Sequence, residues 1–347
     1  VAPDVDAGAV TFALPDPEAR LRSVTLRYHL RPPYPERAFH REDATWRLRL
    51  PRPPVARLEY LLELEDLDGG RATLPDPTNP ERVPGVFGDQ SVVRFPEYRE
   101  PAWLSADAPA GHRQELALPA EGGAVLPATC WTSDPLGADE PAPMLLVHDG
   151  PEVDRFASLT RLLAAAVAAG DVPPCRALLL QPLDRNAWYS ASPTYARSLA
   201  DLALPAVRAA LPVQGPLVAH GASLGALAVL HLAWTHPGLL GGMLLQSGSF
   251  FRLHHDAHEA DRFARFWRVH DFVATVLAAP PGHPWPAVAM TVGTGEENLD
   301  NNRDLAAALR GQGAELSVLE VPDGHTWVGW RDALDPALLD LLRHCWR

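Results

Sequence analysis

His220-Gly221-Ala222-Ser223-Leu224-Gly225 follows the apolar run Pro216-Leu217-Val218-Ala219 and opens a helical run, Leu224-Gly225-Ala226-Leu227-Ala228-Val229-Leu230-His231-Leu232-Ala233. A small-x-nucleophile-x-small turn between a strand and a helix needs glycine on both sides. The backbone bends so sharply there that a flanking side chain would collide with the neighbouring strand or helix. Ser223 is therefore the candidate nucleophile. A pattern this short also arises as an ordinary Gly/Ser turn; the strand before it and the helix after it argue against that reading.

A serine hydroxyl is a poor nucleophile until a base takes its proton, and that base must be oriented by a third group. With this kind of turn the order along the chain is Ser, then acid, then His. Downstream, Pro286-Ala287-Val288-Ala289-Met290-Thr291-Val292 predicts a buried strand followed by Gly293-Thr294-Gly295-Glu296-Glu297. A helix over Asn302 to Leu309 comes next, and then a strand over Leu316 to Val321 that ends in Pro322-Asp323-Gly324-His325-Thr326-Trp327. His325 is the candidate base, placed just past a strand end, where open α/β sheets put their sites. Glu296, Glu297 and Asp300 compete for the acid. Glu296 is favoured as the first of them after the strand, since carboxylates are favourable at a helix N-terminus for other reasons.

Working outward, strands and helices alternate from Trp103 onward, the pattern of an α/β sheet. Leu145-Leu146-Val147-His148-Asp149-Gly150 reads as a strand running into a turn, Leu159 to Ala169 as a helix, Ala177 to Gln181 as a buried strand, and Ala196 to Leu211 as a helix broken near Pro205. Residues before about 100 read differently. Val10 to Leu14, Leu21 to Leu30, Thr45 to Leu50 and Leu58 to Leu64 are short segments, several alternating with period two, between Pro, Gly and Asp turns. That spacing predicts a β-sandwich. Two domains are expected, 1–101 and 102–347, joined by a stiff Pro-rich connection.

Composition narrows the function classes. The 347 residues are enough for two cores, and 47% hydrophobic with 21% charged residues is ordinary for a globular protein. All 30 basic residues are Arg, against 43 acidic ones, and the formal charge of -13 argues against nucleic-acid or anionic-membrane binding. It leaves room for a local Arg-lined pocket. Cys130, Cys175 and Cys345 have neither zinc spacing nor a paired framework, so a reducing, cytoplasmic setting is expected. No apolar run approaches the length of a membrane span. The first residue is Val1 rather than Met, which leaves any upstream signal segment open.

With these residues in place, the chain resembles the enterochelin (ferric enterobactin) esterase family, within the esterase D group of α/β-hydrolases. The likeness spans nearly the whole length and rests on Leu146 to Gly150, Gly221 to Gly225, Gln246-Ser247-Gly248-Ser249, Gly293 to Glu296, and Gly324-His325-Thr326-Trp327-Val328-Gly329-Trp330. The last is the most specific, because Trp at two and five positions past the His is a habit of the group. The resemblance implies an α/β-hydrolase catalytic domain preceded by an immunoglobulin-like β-sandwich. It also implies Ser223 as nucleophile, His325 as general base and Glu296 as orienting acid. The oxyanion hole would use the N–H of Leu224 and one beside the Asp149-Gly150 turn. The residue after that turn commonly supplies the second donor in the group, but here it is Pro151, which has none; Gly150 is the replacement, with Glu152 as an alternative. Ala187 stands where an acidic residue is expected.

A ferric tris-catecholate is anionic and aromatic, so its pocket should offer Arg and aromatic faces. Arg155, Arg185, Arg252 and Trp188 are the candidates, although any of these arginines also reads as a partner of a nearby carboxylate. His254-His255-Asp256-Ala257-His258-Glu259-Ala260-Asp261 has metal-ligand types without metal-site spacing and reads as a polar loop entering a helix. No metal or organic cofactor is implied; any iron would belong to the substrate. The leading expectation is a serine esterase acting on a small-molecule ester, in particular a catecholate siderophore. The alternatives are an esterase for a carbohydrate-linked acyl, feruloyl or small acyl group, and a noncatalytic ligand-binding homologue.

Overall fold

Period-two alternation in the first hundred residues gives each strand one apolar face. In the computed structural model, which describes residues 2–33 and 35–347, these strands are β1 (Asp4–Val5), β2 (Ala9–Pro15), β3 (Leu21–Arg27), β4 (His40–Glu42), β5 (Thr45–Pro51), β6 (Arg57–Asp66), β7 (Arg71–Leu74), β8 (Arg82–Val83) and β9 (Gln90–Arg94). One sheet has the order β1-β2-β5-β4 and the other β3-β6-β9-β8, with β7 paired to β6. Val10, Phe12 and Leu14 of β2 and Leu48 and Leu50 of β5 share a single core with Val24 and Leu26 of β3 and Leu58, Tyr60 and Leu62 of β6. The intervening Arg47 and Arg49 of β5 face solvent. Burying each of these large side chains stabilises the unit by roughly 1.5–3 kcal/mol.

The turn-rich stretch from Pro75 to Pro80 belongs to this core. Tyr60 donates its hydroxyl to Asp76 at 2.8 Å, and Asn79 donates its side-chain amide to the Val92 carbonyl at 2.9 Å, both in buried surroundings. Two segments from far along the chain complete the unit that runs up to Arg99: Gly293–Glu297 and Val321–Gly329.

The second unit, Glu100–Val292, Asn298–Glu320 and Trp330–Arg347, is mixed α/β. Its strands are β10 (His112–Pro119), β11 (Val125–Thr132), β12 (Met144–Val147), β13 (Arg176–Leu180), β14 (Val218–Ala222), β15 (Gly242–Gln246), β16 (Ala287–Gly293) and β17 (Leu316–Val321), in the order β10-β11-β13-β12-β14-β15-β16-β17. The β10–β11–β13 pairings are antiparallel; β13, β12, β14, β15 and β16 run parallel. Every residue of β12, β13, β14 and β15 is buried, as expected of parallel strands covered on both faces.

Pro205 acts where the sequence placed it, though not as a clean break. The run Pro193–Arg197 passes through a π-helical segment, Ser198–Ala203, into Leu204–Ala210 with Pro205 in its first turn. A proline ring cannot donate and crowds the carbonyl one turn back, and a widened turn relieves that crowding. The stretch after Arg252, expected as a polar loop, instead forms the short helix Leu253–Ala260. Asp256 Oδ2 accepts the Arg252 N–H at 2.7 Å and so satisfies an open backbone donor at its start. Among the described residues, no helix is long and apolar enough to cross a membrane.

Candidate active site

Ser223 has φ 57° and ψ -122°, a strained conformation for a residue with a side chain. It is held by its own N–H donating to the Gln246 carbonyl at 2.9 Å and by the Ser249 N–H donating to the Ser223 carbonyl at 3.1 Å. A Cβ on Gly221 would lie 2.3 Å from the carbonyl of Gly225, so only glycine fits. The helix Leu224–Thr235 begins directly after the serine, and its first turn presents the Leu224 N–H with no side-chain cap. Ser223 Oγ lies 3.1 Å from Ser249 Oγ, a partner the sequence reading quoted without assigning it a role. That neighbourhood is fixed from below: Gln246 donates to the Trp330 carbonyl at 3.1 Å, and the Trp330 indole donates to Ser247 Oγ at 2.9 Å.

His325 and Glu296 are brought together. Glu296 Oε2 lies 2.5 Å from His325 Nδ1 on a carboxylate with no exposed surface, and its Oε1 accepts the Gly293 N–H. An ionised carboxylate only accepts, so this bond puts the imidazole proton on Nδ1 and leaves Nε2 as an acceptor. Asp300 lies 3.7 Å from Arg303.

The Asp149-Gly150 turn sits against the start of the serine's helix: a Cβ on Gly225 would be 3.3 Å from His148 Cβ and 3.5 Å from Asp149 Oδ2. Asp149 is left-handed (φ 51°), and the helix Gly150–Ala157 starts with Pro151 in its first turn. A Cβ on Gly150 would overlap the Leu179 backbone, the nearest atom being 2.4 Å away. Burial pushes the Glu152 carboxyl pKa up, and the Asp149 charge pushes it further.

A family model described as "Putative esterase" matches residues 133–341. The chain belongs to that esterase family. The esterase is a hydrolase, with a fold shared by several solved structures. An enterobactin esterase from Shigella flexneri, crystallised in the presence of enterobactin, has a TM-score of 0.77 at 18% identity over 99% of this chain and 96% of that one. The ferric enterobactin esterase from Salmonella typhimurium has 0.77 at 20% identity over 99% and 96%. A ferulic acid esterase has 0.58 at 16% identity and covers 68% of this chain and 99% of that one. No curated protein sequence matches the chain.

The esterase's predicted substrate-side residues divide. Arg185 commits Nε and one terminal nitrogen to the Asp149 carboxylate at 2.8–3.0 Å, so it braces the Asp149 turn. Trp188 packs against the core and tilts on Tyr195 at 5.1 Å between ring centroids. Arg155 lies over its neighbour Phe156 at 5.0 Å. Arg252 differs from these: its Nε is buried with no hydrogen-bond partner among the described residues, three residues past Ser249. Beside it in sequence, Phe251 stacks on Phe266 at 5.8 Å. His254, His255 and Asp304 bring potential metal-ligand atoms within 4.8 Å of one another at the surface. His255 already lies 2.9 Å from Asp304, a contact that a hydrogen bond or ion pair accounts for.

Proposed function

We propose that the esterase cleaves the ester backbone of a catecholate siderophore of the enterobactin type, with Ser223 as nucleophile, His325 as general base and Glu296 as its orienting acid. The His325–Glu296 bond to a fully buried carboxylate is the observation that carries the chemistry. Ser223 Oγ attacks the ester carbonyl while its proton passes to His325 Nε2. The N–H groups of Leu224 and Gly150 hold the oxyanion. Collapse breaks the C–O bond, the protonated histidine gives its proton to the departing alkoxide, and a water activated by the same nitrogen releases the acyl group.

Full-length likeness supports the siderophore reading over the feruloyl one. The match to the enterobactin esterases takes in the N-terminal strands, whereas the ferulic acid esterase matches about two-thirds of the chain. We take the N-terminal unit to be an immunoglobulin-like sandwich, with 1–101 and 102–347 as the two domains and a cytoplasmic site of action. The Arg252 Nε, without a hydrogen-bond partner among the described residues, and the Phe251–Phe266 stack suit an anionic, aromatic ligand. Pro151 and Ala187 favour a second reading, an esterase for another acyl group on the same machinery.

Hydrolysis of ferric and iron-free enterobactin, followed by chromatography, tests the proposal, with feruloyl and short-chain aryl esters run alongside. Stepwise linear trimer, dimer and monomer, lost in Ser223→Ala, are expected. Turnover of the aryl or feruloyl esters alone would transfer the assignment to the second reading.

A further inference from the structure

Arg57, the first residue of β6, is a buried cation whose contacts converge on the segment carrying His325. Its side chain is 1% exposed. Nε and Nη2 donate to Asp323 Oδ2 at 3.0 and 2.9 Å, Nη2 also to Thr326 Oγ1 at 3.1 Å, and Nη1 to Glu59 Oε1 at 3.0 Å. The guanidinium also lies 5.5 Å from the Tyr98 ring centroid. Asp323 passes the constraint on: its Oδ1 accepts the Gly324 N–H at 2.7 Å and the Thr326 hydroxyl at 3.2 Å. The backbone repeats it, with Ala56 N–H donating to the Pro322 carbonyl at 2.6 Å and Gly295 N–H to the Asp323 carbonyl at 3.0 Å.

The two residues before His325 and the one after it are thus tied, directly or through one atom, to β6. The Glu296 side is tied as well: Arg31 N–H donates to the Gly295 carbonyl at 2.7 Å, and a Cβ on Gly295 would meet Val55 at 2.6 Å. His325 itself is 31% exposed in its side chain and follows a glycine, so its ring is steered by these neighbours and by Glu296. A buried ion pair contributes little net stability relative to apolar packing, because desolvation offsets the attraction. Two N–H bonds converging on Asp323 Oδ2, with a third to Thr326 Oγ1, by contrast fix the orientation of the planar guanidinium against both residues.

We propose that Arg57 is a positioning residue for the acid–base pair, so that the N-terminal strand β6 sets the aim of the His325 ring through Asp323 and Thr326. This rests on the reading of His325 and Glu296 given above. A displacement of the base on the order of 1 Å costs about a hundredfold in rate. The N-terminal unit would then act on the chemical step itself.

The test uses the full chain and compares Arg57→Met, Arg57→Lys and Thr326→Val with Ser223→Ala and His325→Ala. The readouts are kcat and KM on an aryl ester, the rate of fluorophosphonate labelling, thermal melting, and the low-field proton NMR signal of the Glu296–His325 bond. Arg57→Met should lower kcat and the labelling rate together by about 30–300-fold, with KM within about threefold and the NMR signal shifted or lost. Arg57→Lys should recover part of the loss. Thr326→Val also strips the acceptor of the Gly329 N–H, so it should melt somewhat lower while remaining folded, and lose about 5–30-fold in kcat. If Arg57→Met does not fold, the other two variants decide. Folded variants with kcat within twofold of the parent and an unchanged NMR signal would overturn the proposal. Activity surviving in Ser223→Ala or His325→Ala would overturn the catalytic reading beneath it, and the proposal with it.

Discussion

Glu296 Oε2 lies 2.5 Å from His325 Nδ1, and the carboxylate that makes this bond has no exposed surface. A base oriented by so buried an acid depends on that acid more than on any carboxylate nearby. Glu296→Gln should lower kcat on an aryl ester by about 10²–10⁴ with little change in KM, as expected when the wrong tautomer is favoured. Glu297→Gln and Asp300→Asn should stay within about threefold of the parent. Steady-state kinetics of the three variants checks this; a large loss in either control would move the acid elsewhere.

Gly221→Ala places a methyl carbon 2.3 Å from the Gly225 carbonyl, backbone that cannot rotate away. Overpacking of this kind costs roughly 1–3 kcal/mol and displaces the turn. The variant should melt lower and react with a fluorophosphonate at least about tenfold more slowly. Gly170→Ala, where no atom lies within 4 Å but φ is +75°, should cost stability alone. Equal labelling rates for Gly221→Ala and the parent would show that the turn does not set the nucleophile.

If Leu224 and Gly150 are the oxyanion donors, as proposed, the missing N–H of Pro151 is not a lost contact. Pro151→Ala should therefore leave kcat within about threefold, whereas Gly150→Ala, whose methyl would overlap Leu179, should lose about a hundredfold. A tenfold or larger gain in Pro151→Ala would show that the hole lacks a donor.

The two most deeply buried histidines, His148 and His220, make the fold sensitive to mild acid, and the buried His231 adds to it. Burial holds His148 down to about 3 and His220 down to about 4, against an ordinary value of 6.5. Below about pH 6.5 the unfolded chain takes up protons that the native state refuses, so stability falls as pH falls through this window. Each histidine costs about 1.4 kcal/mol per pH unit there, or roughly 2 kcal/mol between pH 6.5 and 5. Urea unfolding should show a marked drop from pH 7 to 5, reduced in a folded His220→Gln variant. A flat profile would mean that both histidines are protonated in the native state.

The Glu296–His325 pairing was legible because both residues lie within four positions of a strand end, just as Ser223 directly follows one, so local pattern and chain order pick them out. The first nine strands were legible in part for the same reason, since one-sided burial writes itself as alternation. Strand order was not: β12, β13 and β14 are all buried runs, and nothing local tells that β13 lies between β11 and β12. Arg57 was missed because its partner Asp323 is 266 residues away, and a lone Arg at a strand start looks like any surface arginine. Ser249 sat inside a quoted motif, and its position after a strand end was the signal that could have assigned it. The pairing of Arg185 with Asp149 was not legible because Asp149 lies 36 residues upstream, on a different turn.

The most direct test of the central claim is the rate at which a fluorophosphonate modifies the protein, with the adduct mapped by peptide mass spectrometry. The account predicts a single adduct on Ser223, forming at least about a hundredfold more slowly in His325→Ala. Equal rates in parent and His325→Ala, or an adduct on another residue, would contradict it.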